Sequence, residues 1–245
     1  MTPPRTGFEK WKDGIDRAIN DVNWSFWDCE IQKAVEEFNA HLLGTAGYRL
    51  LDWQIIKAII WTESGAANPE WRVKPMRIGV HGDPGLAALL SGNEGGDLIL
   101  PPDLKEKLTT VSARTLPAYN IRAGIGYLLM RMATYAYQSL PGVDPAIYEV
   151  TVKSGDSFDK IAKAQGSTTD TLKKLNPTVN PSALRPGQVL KCQKASIKRV
   201  ITGWRHISTA LIADRYNGGG DSTYQEKLDY VLSAIHKAKV ATCEK

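Results

Sequence analysis

Glu63 closes the apolar run Trp53, Ile55, Ile56, Ala58, Ile59, Ile60, within Ile60-Trp61-Thr62-Glu63-Ser64-Gly65. A carboxyl at the end of a mostly buried helix can emerge into a cleft while the Trp61 indole and nearby apolar side chains keep water away. Desolvation disfavours the carboxylate and raises the pKa, which a general acid working near neutral pH requires. A lone Glu near a helix end is more often a solvated surface residue, so the remaining segments must decide. Other chemistries have less support. Ser64 has no Ser/His/Asp arrangement around it. His41, His81, His206 and His236 are widely spaced, and only His81, in a glycine-rich loop, can border a cleft. Cys29, Cys192 and Cys243 lack CxxC spacing, so neither a metal nor a cofactor is expected. Asp83 and Asp97 read as turn formers.

The elements that must position Glu63 are mainly helical. Thr6 and Glu9 have capping-box spacing ahead of Trp11, Ile15 and Ala18. Ile31, Ala34, Val35, Phe38 and Leu42 recur with helical period, and Asp52 can cap the helix that ends at Gly65. Asn68 to Pro102 is glycine- and proline-rich, with one clear helical piece from Pro84 to Leu90. Ile121, Ile125, Leu128, Leu129 and Met132 resume a long helix. Residues 148–192 read differently: a strand at Tyr148–Val152, two short helices, then a turn and strand through Leu184–Leu190. Helical periodicity returns in Trp204, Ile207 and Leu211, and again in Tyr224, Leu228, Val231 and Ile235.

With 245 residues, 42% of them apolar, and seven tryptophans, the chain is too hydrophobic to be mainly disordered. Its 31 basic and 26 acidic residues leave a net charge of +5. The basic residues are scattered with no aromatic–basic motif, so no nucleic-acid partner is expected; a mild positive excess suits a polyanionic polymer or a bacterial envelope. No segment offers the roughly 20 apolar residues that span a bilayer. The amino terminus shows no signal-peptide core. A soluble protein is expected, reaching the periplasm or cell wall by a non-classical route.

Residues 148–192 closely resemble a LysM domain. The match runs through Tyr148-x-Val150, Ser154-Gly155-Asp156-Ser157, Ile161-Ala162, Leu175-Asn176-Pro177 and Leu184-x-Pro186-Gly187-Gln188-x-Leu190. The resemblance implies binding of N-acetylglucosamine-containing chains in a shallow groove. Gly155, Asp156, Ser157 and Phe158 would form one side, and Asn176, Pro177, Thr178 and Val179 the other. Phe158, Ile161 and Leu175 read equally as core.

The helical remainder resembles the lysozyme-like domain of soluble lytic transglycosylases and goose-type lysozyme. Four segments carry this in order: Ile59–Gly65, Pro75-Met76-Arg77-Ile78-Gly79, Asn120–Leu128, and Arg215-Tyr216-Asn217-Gly218-Gly219. The implied fold class is α+β, a mainly helical lysozyme-like domain interrupted by a small strand–helix–helix–strand unit. The expected boundaries are an N-terminal helical extension (1–19), the catalytic domain in two parts (20–147 and 193–245), and the LysM-like domain (148–192). Two departures stand out. Arg77 replaces the family's Gln, and Lys74-Pro75 replaces the preceding Gly-Leu.

The resemblance implies Glu63 as general acid and then base, with Tyr216 hydrogen-bonding near the substrate acetamido group or Glu63. Ser64, Met76, Arg77, Tyr127 and Asn217 would contact substrate. A glycosidase using two carboxylates needs a second one, and none here has comparable support. The implied reaction is lytic cleavage between N-acetylmuramic acid and N-acetylglucosamine with formation of a 1,6-anhydro ring. A hydrolytic muramidase and a noncatalytic wall-binding protein are the alternatives. A phage lysin, a remodelling enzyme and a secreted antibacterial effector all fit. The effector reading adds a secretion-system component and an immunity protein as partners. Packing of the last helix on the helix bearing Cys29 would allow a Cys29–Cys243 disulfide; three pairings and the fully reduced state remain open.

Overall fold

Thr6 opens the first helix as its spacing predicts: its hydroxyl accepts from the Glu9 N–H at 3.2 Å, and the Glu9 carboxylate accepts from the Thr6 N–H at 2.8 Å. The computed structural model describes residues 6–238 and Cys243. The outermost parts of the expected 1–19 and 193–245 segments, 1–5, 239–242 and 244–245, lie outside the described residues. Helix α1 spans Gly7–Ala18, α2 Asp28–Leu42 and α3 Trp53–Glu63. Shorter helices follow: α4 Gly85–Ser91, α5 Gly96–Ile99, α6 Pro102–Lys107 and α7 Thr110–Thr115. The long α8 covers Pro117–Met132. Strands β1 (Ala133–Pro141) and β2 (Ile147–Thr151) precede α9 (Phe158–Gln165) and α10 (Thr169–Leu175). Strands β3 (Val189–Gln193) and β4 (Ala195–Trp204) lead to α11 (Thr209–Arg215) and α12 (Tyr224–Lys237). The chain is mainly helical, with a strand–helix–helix–strand segment over 147–193.

Two units result: the chain through residue 134 together with 201 onward, and residues 135–200. In the larger unit α8 is the central element. Ile121, Ile125, Leu128, Leu129 and Met132 are all buried, and α2, α4, α5, α7 and α11 pack against it. The predicted stripe of α2, Ile31, Ala34, Val35, Phe38 and Leu42, is wholly buried. Burying such side chains contributes roughly 1.5–3 kcal/mol each before entropy is subtracted. Trp61 lies between Trp24 and Trp71, with ring centroids 4.9 and 4.7 Å away. Beneath that cluster Lys57 Nζ meets buried Asp28 at 2.8 Å and lies over the Trp24 ring. A charge this deep persists only because it is paired.

In the smaller unit β2 and β3 run antiparallel with Val150 opposite Leu190. Helices α9 and α10 complete a core of Val152, Phe158, Ile161, Ala162, Leu172, Leu190 and Cys192. Ser157 and Thr168 cap the two helices.

Several sequence expectations are corrected. Strands β1 and β4 pair with each other, a ribbon absent from the sequence expectations. Trp204 ends β4 rather than opening a helix. The glycine-rich stretch holds α5 and a 3-10 turn at Pro69–Arg72 besides α4. Cys29 and Cys243 are disulfide-bonded, with Cα atoms 5.5 Å apart, and Cys192 is free and buried. The expected packing of the last helix on α2 is not its main contact. Helix α12 packs chiefly on α3, with further contact to α11 and α1. Tyr230 stays partly exposed, donating to Asp16 at 2.6 Å beside Trp11.

Candidate active site

Helix α3 delivers Glu63 to the surface for local reasons. Asp52 caps its start by accepting from the Gln54 N–H at 2.9 Å. Ile56, Ala58, Ile59, Ile60 and Trp61 bury its body. Gly65, at φ 56°, then turns the backbone through the left-handed region and ends the helix directly after Glu63. Ser64 Oγ lies 2.9 Å from the Pro75 carbonyl and 3.1 Å from that of Ile60, so its single proton is committed to backbone. Ser64 thereby ties the end of α3 to the Pro75–Ile78 turn.

That turn is held from behind by α8. Buried Asn120 accepts from the Met76 N–H at 2.9 Å and donates to the carbonyls of Ile78 (3.0 Å) and Ala113 (2.8 Å). The Met76 side chain is buried, and a methyl group on Gly124 would come within 2.6 Å of it. Met76 therefore reaches the cleft through its backbone: its carbonyl accepts from the Tyr216 hydroxyl at 3.2 Å. Arg77 is exposed, has a positive φ of 50°, and points its guanidinium toward the Glu63 carbonyl oxygen at 3.5 Å.

The Glu63 carboxylate itself is met by Tyr224, the first residue of α12, whose hydroxyl donates to Oε1 at 2.7 Å. Burial pushes the Glu63 pKa above the usual carboxylate range. The Tyr224 bond and the Arg77 charge work against it, while Asp83 and Asp221 add to it. Burial also raises the Tyr216 phenol well above its usual pKa, helped by the negative charge of Glu63. Burial pushes the Asp221 carboxyl up, but Lys227 and Thr223 outweigh it and hold it below the usual range.

Two cavities meet at Glu63. One of about 290 Å³ is bordered by Met76, Arg77, Asp83, Tyr127, Tyr216 and Asn217. The other, a groove of about 610 Å³, runs between α1 and the end of α3. The residues predicted to gather around Glu63 are thus brought together. Tyr127 and Tyr216 rings lie 5.6 Å apart. Asn217, with its amide oxygen facing the N–H groups of Asp221 (3.0 Å) and Gly220 (3.2 Å), shapes the loop before α12. Asp83 does form a turn, accepting from Gly79 and Gly85 N–H groups at 2.6 and 2.8 Å, yet it also lines the smaller cavity. Sequence reasoning missed Tyr224 as a site residue. The available signal was its place on the apolar stripe of α12, where a buried phenol requires an acceptor. No cluster able to hold a metal is present among the described residues.

In the smaller unit three of the predicted groove side chains are engaged within the domain. Asp156 accepts from the Lys153 N–H at 2.7 Å, and Ser157 from the Lys160 N–H at 3.2 Å. Asn176 is buried, donating to the Leu172 and Lys191 carbonyls at 2.8 Å and accepting from the Lys191 N–H at 2.9 Å. Phe158 belongs to the core, whereas Gly155 (φ 80°) and Pro177 are exposed. Thr178 is exposed beside Pro177.

A family model described as the LysM domain matches residues 150–192, and the chain carries a LysM domain there. No curated protein and no solved structure matches the chain. Among the described residues no helix is long and apolar enough to cross a membrane.

Proposed function

We propose that this chain is a peptidoglycan-cleaving enzyme, a lytic transglycosylase whose LysM domain holds it on the wall. The observation that carries the reading is Glu63: a shielded carboxyl with a raised pKa at the junction of two cavities. A protonated Glu63 gives its proton to the glycosidic oxygen as the C1–O bond breaks. The substrate's 2-acetamido oxygen bonds to C1 and compensates the developing positive charge. Glu63, now a carboxylate, takes the proton of the muramic C6 hydroxyl, whose oxygen displaces the acetamido oxygen and closes the 1,6-anhydro ring. One carboxyl thus serves as acid and then base.

Tyr224 orients Glu63, and Tyr216 keeps a lone pair for a substrate N–H after donating to Met76. The LysM domain supports peptidoglycan as the polymer. In an effector setting, with delivery to a periplasm, an immunity protein would cover this same cleft.

The test is muropeptide release by purified protein against Glu63→Gln. Gln keeps the volume but cannot donate the proton, so turnover should fall by about 10²–10⁴-fold. Product masses separate outcomes: anhydro-muropeptides mark a transglycosylase, and products heavier by one water a hydrolase. Equal release by folded mutant and wild type rejects the role of Glu63.

A further inference from the structure

The groove between α1 and the end of α3 has features that the chemistry at Glu63 does not use. Trp11 on α1 lines it, and its indole is held in place by Phe8 (6.0 Å between centroids), Tyr230 (6.3 Å) and the Lys227 ammonium (5.7 Å). Thr62, near the end of α3, lines the same groove. Gly14 sits between these on the groove-facing side of α1, where an added Cβ would meet nothing within 4 Å. A glycine inside a helix weakens it, yet here its missing side chain leaves the groove open.

We propose that α1 forms the wall of a saccharide subsite in which Trp11 stacks on an N-acetylhexosamine ring. The occupant is the continuation of the glycan strand. Glu63 lines both cavities, so a polymer cut at Glu63 extends into each of them. The inference rests on the proposed cleavage at Glu63, but its test reads binding separately.

In full-length Glu63→Gln protein, the tryptophan indole N–H signals are followed by NMR while a β-1,4-linked N-acetylglucosamine tetrasaccharide is added; the Trp11 signal is assigned by its absence in Trp11→Phe. The Trp11 signal should shift saturably, alongside amides of the LysM domain that report binding there. Gly14→Phe should abolish the Trp11 shift and keep the LysM response. In the active enzyme the same substitution should raise KM for soluble glycan strands about tenfold with kcat nearly unchanged, as expected when binding alone is lost. A Trp11 signal that stays still while the LysM amides saturate overturns the subsite. If Gly14→Phe fails to fold, the titration of the Glu63→Gln protein decides. A shifting Trp11 signal in a protein whose wild type cleaves nothing would keep the subsite and remove the proposed reaction.

Discussion

Tyr224 and Glu63 are 161 residues apart in the chain and 2.7 Å apart in the fold, joined by a hydrogen bond from the phenol to Glu63 Oε1. A donor to the carboxylate favours the charged form, so this bond restrains the rise in pKa that burial causes. Tyr224→Phe should therefore raise the Glu63 pKa further. Activity that needs protonated Glu63 is lost as pH rises through that pKa, so the alkaline limb should move to higher pH. Loss of orientation should lower kcat about tenfold, in line with a lost hydrogen bond of about 1–3 kcal/mol. A pH–rate profile identical to wild type would remove Tyr224 from the site.

Glu63 also makes stability depend on pH. Its folded pKa lies above the unfolded value of 4.5, so ionising it costs more in the folded state than in the unfolded chain. That penalty is absent below the unfolded pKa, grows as pH rises from there to the folded pKa, and is constant above it. Glu63→Gln should accordingly raise the thermal midpoint at pH 7 to 8, and the gain should vanish near pH 4. A constant difference across that range would contradict the assignment.

Gly124 lies under Met76, and an added Cβ would stand 2.6 to 2.8 Å from three atoms of that side chain. Gly124→Ala should push Met76 and the carbonyl that anchors Tyr216. Overpacking of this kind costs about 1–3 kcal/mol. Chemical denaturation should show that loss, and turnover should fall together with it. Turnover preserved in the destabilised protein would mean that the Tyr216 anchor is dispensable.

Asn176 bridges α10 to β3 inside the LysM domain, so Asn176→Ala leaves buried backbone groups unpaired, at about 1–3 kcal/mol. Pull-down on insoluble peptidoglycan should weaken, whereas cleavage of small soluble muropeptides should persist, because attachment raises local concentration without altering the chemical step. Weakened pull-down with the domain's melting unchanged would instead make Asn176 a direct sugar contact.

What could be read from the sequence was local. The α2 stripe, the Thr6–Glu9 box and the Asp52 cap each depend on residues within a few positions of one another, and all three appear as expected. The β1–β4 ribbon did not announce itself. Its partners are distant, as Thr134 and Thr202 illustrate at a sequence separation of 68, and β1 continues directly from the apolar run of α8. Tyr224 was legible as a core residue but not as the partner of Glu63, because nothing local encodes a contact across so much chain. Met76 and Asn176 show the converse. Motif position marked both as contacts, and burial turned one into packing and the other into a brace.

The bond between Cys29 and Cys243 has a sequence separation of 214. It closes residues 29 to 243, the LysM domain included, into a covalent ring. A single peptide bond cut anywhere within that ring opens it without releasing a piece. A molecule nicked within the ring therefore migrates as one species on a denaturing gel until thiol is added, and in an oxidising compartment a protease must cut the ring twice before any part of it is shed.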